Sequence, residues 1–487
     1  MVFQNNVLSG AGGSGTAVHT IDQSIRFNGV DTPQLTRTPS SSGNLDKWTF
    51  SCWVKRGKFG QSGGGGSHQV FLSAGNDVNN FTFFGFRDSG SLPSGGVAES
   101  LNLVATVGGV VIFELSTTQV FRDPSAWSHI VGVYDSGNSV SSERCRVYVN
   151  GSRITEFNVE TYPSQNQDSD VNESGVVQRV GAFNLGGNKG HLDGYMAEIV
   201  LIDGQALDPS SFGEYNSSNI WVPKDVSGLT FGTNGFHIKG QDSSDLGNDS
   251  SGNNNDYTTS GLAAHDQVLD SPTNNYCVIS PLDSFLGSTT WANGNLQIGG
   301  ASNITSSSIS VTSGKWYVEV RKNANADNQI GVMSGNTNQS SAQLGTSQFR
   351  RAWRDNNNSP QFLTDDSTSG SGTAESLAAG DILGIALDLD NDAIYFADNN
   401  TWMNSGDPTS GASKTGAIFT DLNLHDEWRW FTGSNSLAVN NTWNFGQDGT
   451  FGGTETAQGN ADGNGHGNFY YAPPSGYLAV NTKNLGS

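Results

Sequence analysis

Short runs in which apolar residues alternate with small or polar ones, separated by Gly- and Asn-rich turns, constrain this chain more than any other feature. The clearest example is 380–396, where Ile382 to Leu389 is followed by the acidic turn Asp390 to Asp392 and then by Ala393 to Phe396. This pattern predicts two antiparallel strands joined by a tight turn. Apolar residues at helical spacing form no long stretch in the sequence, so we expect an all-β chain.

Three aspartates in this ribbon, Asp388, Asp390 and Asp392, begin like a calcium-binding loop. Such a loop needs Gly at its sixth position and Glu at its twelfth, where this chain has Ala393 and Asn399. The mismatch favours a simple hairpin turn. We therefore expect no cofactor, with calcium as the alternative.

The composition agrees with many short strands. The 487 residues include 63 Gly, and only 14% are charged, against about a quarter in a typical domain. Aromatic residues include 11 Trp and 25 Phe, and such large side chains fill sandwich cores efficiently. A chain of this length has room for about two or three domains.

The net charge of −22 argues against several classes of partner. Nucleic-acid binding requires clusters of Lys and Arg that neutralise phosphates, and an anionic membrane surface would repel the chain. The sequence has no run of 18 apolar residues, and Met1 does not begin a basic and apolar leader. We therefore expect no nucleic acid and no membrane partner, and synthesis in a cytoplasm without a signal peptide.

Shifts in composition divide the sequence into an arm at 1–20, a domain at 21–222, a Gly/Asn/Ser-rich connector at 223–280 and a second domain at 281–487. The arm carries short apolar pairs before a Gly-rich tether, so it either docks on a neighbouring protein or frays as a free terminus. In the connector, 249–256 is rich in side-chain oxygens. Turns that bond their own backbone are favoured there over a calcium site.

The first domain has strand-like runs at regular spacing. In Trp48 to Lys55, one face carries Trp48, Phe50, Cys52 and Val54, whereas Trp53 interrupts the otherwise polar opposite face. Further strands are predicted at 69–74, 80–87, 101–107, 110–116, 128–134, 144–149, 176–183 and 194–203. Asn150-Gly151 is a strong hairpin signal. Many strands at this spacing indicate a sandwich or jelly roll.

Four segments of this domain resemble the concanavalin A-like lectin/laminin-G family in content and order. They are Trp48–Lys55, Trp127–Tyr134, Arg146–Gly151 and His191–Asp203, and they match the family's Trp-led strand, its "YvNG" hairpin and its later "dG.iaEv.i" strand. The resemblance spans Ser24 to Phe212 and implies a two-sheet jelly roll.

Segments of the second domain resemble the SPRY family. They are Gly314–Val320, Ile330–Met333, 380–396 with Asn399–Trp402, and Trp443–Gly446. This resemblance implies a second two-sheet β sandwich, so the fold class expected for the whole chain is two β-sandwich domains in tandem behind a short arm.

The order of these parts is similar to that of virion structural proteins of tailed phages. It runs from the arm at Met1–Asn6 through Asp203–Phe212 and the linker segments Asp249–Asn253 and Asp270–Tyr276 to the SPRY-like domain. Such proteins are regarded as fibres, adhesins or decoration proteins. The resemblance implies a virion location, attachment to other virion proteins through the arm, and homo-oligomerisation.

Enzymatic motifs are largely missing, so we expect a protein that is not an enzyme. Concanavalin-like glycanases place two Glu around an Asp on one strand, and that Glu-x-Asp-x-x-Glu pattern does not occur in this sequence. The eight His are dispersed and include no His-Glu-x-x-His motif.

Two segments are candidate ligand-binding sites. Sugar recognition combines an aromatic side chain with polar partners, and Trp353 lies among Arg350, Arg351 and Arg354 in an otherwise acidic chain. The alternative is that Trp353 packs beneath its own loop.

The second candidate is a predicted loop in the first domain that contains His68, Asn76, Asp77 and Asn80. These side chains could hold a polar ligand or calcium, and the alternative is a solvated polar loop.

The resulting hypothesis is a phage virion protein that binds host-surface polysaccharide or neighbouring virion subunits through lectin-like domains. Two alternatives remain open. One is a purely structural decoration protein without glycan affinity, and the other is a glycan depolymerase.

Overall fold

The computed structural model describes residues 19–59, 68–88, 97–185, 188–284, 288–301, 304–324, 328–334, 350–355, 359–364, 367–434 and 438–486. The chain divides into two compact units, Met1–Asn275 and Tyr276–Ser487. The prediction of an all-β chain is confirmed, because nearly all regular structure in both units is strand. Of the predicted arm at 1–20, residues 1–18 lie outside the described residues.

The first unit contains two large antiparallel sheets and two small hairpins within its described residues. Its strands are β1 (Ser24–Phe27), β2 (Gln34–Arg37), β3 (Lys47–Arg56), β4 (His68–Asp77), β5 (Asn80–Arg87), β6 (Ser100–Val107), β7 (Val110–Val120), β8 (Trp127–Asp135), β9 (Cys145–Val149), β10 (Ser152–Arg153), β11 (Phe157–Thr161), β12 (Gln178–Val180), β13 (Asn184–Leu185), β14 (Asn188–Lys189), β15 (Gly194–Asp203), β16 (Gly213–Tyr215), β17 (Trp221–Pro223), β18 (Phe236–Ile238), β19 (Thr258–Ser260) and β20 (Gln267–Val268).

Sheet A has the order β10-β9-β8-β3-β15-β1-β20, and β18 also pairs with β15. Sheet B has the order β11-β7-β6-β5-β4-β12-β2-β19. Strands β13 and β14 form one separate hairpin, and β16 and β17 form the other.

The core of the first unit lies between sheets A and B. The face of β3 predicted to be apolar points into it, since Trp48, Phe50, Cys52 and Val54 all belong to one buried cluster. Phe50 of sheet A meets Phe84 of sheet B edge to face, with ring centroids 6.4 Å apart. Alternation with a period of two thus assigns the inner face correctly.

Residues 223–275, which we expected to form a connector, are part of the first unit. Strand β18 pairs with β15, β19 pairs with β2, and β20 pairs with β1. Phe236 and Ile238 are fully buried in the core between the sheets. Both large sheets therefore include strands that lie beyond the boundary expected at 222.

The second unit contains two sheets within its described residues. Sheet C has the order β21-β22-β33-β24-β29-β30-β31, and sheet D has the order β23-β32-β25-β26-β27-β28. The strands are β21 (Ser288–Ala292), β22 (Gln297–Ala301), β23 (Ile304–Ser306), β24 (Lys315–Lys322), β25 (Asn328–Ser334), β26 (Arg350–Asp355), β27 (Pro360–Thr364), β28 (Ser367–Thr368), β29 (Ile382–Asp388), β30 (Ala393–Asp398), β31 (Thr401–Trp402), β32 (Trp428–Gly433) and β33 (Ala438–Asn444).

The ribbon predicted at 380–396 is confirmed as the hairpin β29–β30, in which Asp388 pairs with Ala393 across the turn. All three aspartates that begin like a calcium-binding loop have partners within the protein, since Asp390 accepts from the Gly314 backbone N–H and Asp392 lies 3.9 Å from the Lys414 ammonium. Asp388 forms an ion pair with Lys315 at 3.0 Å and accepts hydrogen bonds from the backbone and side chain of Asn391.

Helical structure is limited to short pieces in the described residues. One α-helix, α1, spans Thr482–Leu485. Turns of 3₁₀ helix lie at Gly29–Asp31, Ser141–Glu143, Pro209–Ser211, Ala264–Asp266, Pro281–Asp283, Met403–Ser405, Pro408–Ser413 and Leu422–Leu424. Within the described ranges, no helix has the length and apolar character needed to span a bilayer.

A buried carboxylate holds the C-terminal segment of the second unit. Glu319 on β24 accepts hydrogen bonds from the backbone N–H groups of Tyr470 and Tyr471 at 2.9 and 2.7 Å, and from the Asn444 amide at 3.1 Å. Burial raises the pKa of Glu319 to about 7 even though these donors favour the charged form.

Candidate functional site

An aromatic cavity of about 520 Å³ lies beside the outward-facing Trp53 of sheet A and extends to residues of sheet B, among them Phe86 on β5 and Val120 on β7. Its volume is in the range usual for sites that bind small ligands, which is about 300–1,000 Å³. The aromatic lining residues are Trp53, Phe121, Trp127, Tyr215 and Trp221, and polar groups are supplied by Arg122, Asp123, Asn150 and Asn219 among others.

The floor of the cavity follows from strand alternation. Trp53 lies on β3 between the inward-facing Cys52 and Val54, so it points outward, and Trp127 at the start of β8 pairs with Lys55 next to it. Both tryptophans are buried, at 4% and 3% exposure, because Ile21, Val268 and Trp221 pack with them on this face.

A histidine fixes the orientation of Trp221. The Trp221 indole N–H donates to Nδ1 of His129 at 3.0 Å, and His129 Nε2 lies 2.8 Å from the Ser51 hydroxyl. Burial lowers the pKa of His129 to about 3, so the ring is neutral near pH 7. Since Nδ1 accepts, the proton is on Nε2, which donates to Ser51.

The same imidazole is part of an aromatic stack. Its centroid lies 4.9 Å from that of Trp53 and 5.9 Å from that of Trp221, with interplanar angles of 28° and 25°. Trp221 is thus clamped by a hydrogen bond at its edge and by ring stacking on its face.

Two glycines leave room for the Trp221 ring. A Cβ atom added at Gly151 would lie 2.5 Å from the indole, and one added at Gly213 would lie 2.6 Å from it. Gly151 also has φ of +79°, as expected for the second residue of an Asn-Gly hairpin turn. Gly151 and Gly213 thus line the space that holds the Trp221 indole, which we call the Trp221 slot. The turn between β9 and β10 forms one wall of it.

Tyr215 presents an accessible ring at this site. Its side chain is 53% exposed, and its ring meets Trp221 edge to face at 5.0 Å. Aromatic faces pack against apolar surfaces of a ligand, while the neighbouring Arg122 and Asn219 are exposed and able to form hydrogen bonds. This combination suits a ligand that has both apolar and hydroxylated surfaces.

Buried charges support the floor from behind. The Lys55 ammonium contacts the Asp270 carboxylate and the Asn275 amide oxygen, both at 2.7 Å, and Asp270 also accepts from the Trp127 indole at 3.0 Å. Lys55 and Asp270 are fully buried. Because an unpaired charge would be costly at this depth, the Lys55–Asp270 pair stays together. The Asp270 carboxylate in turn fixes the position of the Trp127 indole through their hydrogen bond.

The arginine-rich segment predicted as a sugar platform does not provide one. It forms β26, which lies between β25 and β27 of sheet D. Trp353 is fully buried, and its indole donates to the Glu375 carbonyl at 2.9 Å. The prediction of an exposed Trp353 is therefore wrong, and packing inside the unit is correct.

The arginines around Trp353 have structural partners. Arg351 forms a two-pronged contact with Asp421 at 2.9 and 2.7 Å, and Arg350 donates to the Gln329 side chain at 3.1 Å. Both are buried, whereas Arg354 is half-buried. Arg350 and Arg351 therefore stabilise the second unit, and their burial makes them inaccessible to a ligand.

The predicted loop of His68, Asn76, Asp77 and Asn80 is not a single site. His68 and Asp77 are the two ends of β4, about 30 Å apart at a strand rise of about 3.3 Å per residue. His68 is buried against Phe83, and burial lowers its pKa to about 4.

The three polar residues at the other end of β4 build a turn. Asp77 accepts from the backbone N–H groups of Asn79 and Asn80 at 2.7 and 3.0 Å, which holds its pKa below the usual range. Asn76 bonds the backbone of Gly175 and Val177. The Asp77 contacts are the Asx-type bonding expected of turn residues, whereas Asn76 connects this end of β4 to a segment distant in the sequence.

The turn at 249–256 has the same character. The Asp249 carboxylate accepts from the backbone of His237, Ser251 and Asn255 at 2.8 to 2.9 Å. Across the part of the chain that the structure describes, no group of three or more His, Cys, Asp or Glu side chains is arranged to hold a metal ion.

Sequence reasoning missed the aromatic cavity. One signal was present, because Trp53 interrupts a polar strand face and an outward tryptophan needs a cover or a ligand. The partners of Trp53 could not be inferred in this way, since His129 and Trp221 are 92 residues apart in the sequence.

Comparison with known proteins supports the fold of the first unit. Residues 28–210 match the Laminin_G_3 family model, which is described as concanavalin A-like lectin/glucanases superfamily. Tyr215 and Trp221 lie outside the matched span. No curated protein sequence matches the chain.

Solved structures similar to the chain include domains LG4–5 of the mouse laminin α1 chain, with 8% identity, coverage of 88% of this chain and 91% of that chain, and a TM-score of 0.30. A candidate carbohydrate-binding protein from Bacteroides ovatus has 12% identity, coverage of 50% and 58%, and a TM-score of 0.32. The SPRY domain of human HERC1 has 16% identity, coverage of 34% and 96%, and a TM-score of 0.24. The family match and the two sheets agree that the first unit contains a concanavalin A-like lectin/laminin G domain.

Proposed function

We propose that the first unit is a carbohydrate-recognition module that holds a glycan in the aromatic cavity. The observation that carries this proposal is the exposed ring of Tyr215 beside a Trp221 that is fixed by His129. Sugar rings have apolar C–H faces that pack on aromatic rings, and their hydroxyl groups need hydrogen-bond partners. Arg122, Asp123 and the neighbouring asparagines supply such partners.

The proposed role is binding without cleavage. Asp123 is the only carboxylate side chain among the described residues that line the aromatic cavity. Hydrolysis of a glycosidic bond with retention uses two carboxyl groups about 5 Å apart. Asp123 is also engaged locally, since it accepts from the backbone N–H and hydroxyl of Ser125.

We further propose that this recognition serves a tailed-phage virion. The support is the order of segments in the sequence, from the arm at 1–20 to the SPRY-like domain. In this proposal the arm attaches the chain to other virion proteins, and several copies bind host-surface polysaccharide together. Multivalency would strengthen the binding beyond the affinity of a single sugar site.

A glycan array probed with the full-length protein tests the binding function, followed by isothermal titration calorimetry on the strongest hit. We expect Tyr215→Ala to weaken binding about tenfold, equivalent to about 1.4 kcal/mol. Leu424→Ala removes an apolar side chain that is 62% exposed in the second unit, and it should leave the affinity unchanged. A blank array, or equal affinities for the two variants, would refute the assignment.

Further measurements separate the remaining alternatives. Release of reducing ends from the bound polysaccharide would establish a depolymerase, and particle association with a blank array would establish a decoration protein. We propose that no cofactor is required, so the affinity should be the same in EDTA and in calcium. Purified protein should compete with particles for adsorption to host cells if the virion role is correct.

A further inference from the structure

A second cavity of about 600 Å³ adjoins the aromatic cavity. Tyr215 and Trp221 line both cavities, so the two meet at this pair of rings. The second cavity continues from the pair over Tyr148 on β9 to the segment before β16. Each cavity alone is within the usual range for a small ligand, which is about 300–1,000 Å³.

The second cavity has its own polar groups for hydroxylated ligands. Its lining includes Arg153, Asp208, Glu214 and Lys224. Arg153 is held in place by Glu143 at 2.8 Å. Lys224 is exposed, and the hydrogen bond shown for its ammonium, to the Ser210 carbonyl at 3.2 Å, leaves further donors available.

We propose that the two cavities form one extended groove, which binds an internal stretch of a linear polysaccharide across Tyr215. This inference rests on the proposed function and names its substrate class. Polar groups lie in both cavities, and the half-exposed tyrosine ring lies between them, where a sugar in mid-chain would stack. A single terminal sugar would use only one cavity, so the geometry favours a ligand that is longer than the first cavity.

The test uses the full-length protein and the polysaccharide that gives the strongest array signal. Partial acid hydrolysis and size fractionation provide its disaccharide and hexasaccharide, and calorimetry measures the affinity for each. We expect the hexasaccharide to bind at least about tenfold more tightly.

A variant in the second cavity makes the test specific. Lys224→Ala should weaken hexasaccharide binding about fivefold, because it removes a charged hydrogen-bond donor, and it should leave disaccharide binding unchanged. Lys483→Ala removes an exposed lysine on α1 in the second unit and serves as the charge-matched control. Since Lys224 is exposed, the variant should fold normally, which circular dichroism checks.

The outcomes distinguish this inference from the proposed function. Equal affinity for the two fractions, or loss of affinity for both fractions in Lys224→Ala, would overturn the extended groove while leaving glycan binding intact. An unchanged hexasaccharide affinity in that variant would also overturn it. Failure of both fractions to bind would remove the proposed function and the groove together.

Discussion

Replacing Gly213 by alanine tests whether the slot that holds the Trp221 indole determines glycan binding at the candidate site. The added Cβ would lie 2.6 Å from Cε2 and Cζ2 of Trp221 and 2.7 Å from its Nε1. These distances are too short for non-bonded atoms, so the indole must move. Movement at Nε1 breaks the 3.0 Å hydrogen bond to His129, whose ring is fully buried.

The expected cost combines two effects. Overpacking by one methyl group costs about 1–3 kcal/mol, and a buried His129 Nδ1 without a donor costs about 1–3 kcal/mol. We expect a loss of about 3 kcal/mol for the first unit. At about 2–4 °C per kcal/mol for a domain of this size, its Tm should fall by about 6–12 °C.

Differential scanning calorimetry is the suitable assay, because two units can unfold in separate transitions. Glycan affinity is measured in parallel and should fall together with Tm. The matched control is Gly228→Ala, where an added Cβ has no heavy atom within 4 Å. If Gly213→Ala and Gly228→Ala have the same Tm and affinity, the slot does not position Trp221 and the reasoning is wrong.

Three further predictions concern buried groups. Burial raises the pKa of Glu319 from 4.5 to about 7, so the folded state holds this proton more tightly than the unfolded state does. The free energy of unfolding should therefore fall by about 3 kcal/mol as pH rises from about 4.5 to 7. Urea titrations should show a smaller dependence on pH in Glu319→Gln, and an unchanged dependence would contradict the prediction. Trp353→Phe should cost about 1–3 kcal/mol through loss of its buried hydrogen bond without changing glycan affinity, whereas a change in affinity would restore this residue as a site. Lys55→Met should lower the free energy of unfolding by about 3–5 kcal/mol, because Asp270 is left buried without its cation. Chemical denaturation should show that adding Asp270→Asn recovers part of this stability, and no recovery would argue against the ion pair.

Much of the fold follows from local patterns in the sequence. The alternation in Trp48 to Lys55 assigned the core face, Asn150-Gly151 marked a real hairpin, and the acidic ribbon marked β29–β30. In each case the signal is short-range, since the pleat and the turn geometry act on neighbouring residues. Strands β19 and β20 were not predicted, because two or three residues are too few to show a period.

The candidate site was harder to predict because it depends on long-range packing. Trp53 gave a local signal, whereas Tyr215 and Trp221 become relevant only once the β16–β17 hairpin covers the outer face of sheet A. The error at Trp353 has the same origin. Charge and aromatic content do not show whether a residue lies in a loop or in a strand between two partners, and only the strand buries Trp353.

The pairing of β1 with β20 also has a consequence during synthesis. Ser24 pairs with Val268 and Leu35 pairs with Thr259, so the earliest strands of both sheets find their outer partners only after more than 200 further residues have been made. At about 5–20 residues per second, a ribosome needs roughly 12–50 s to cover that distance. During this interval β1 and β2 expose unpaired edges, which are prone to association with other chains. The late strands thus set the time at which the nascent first unit can close.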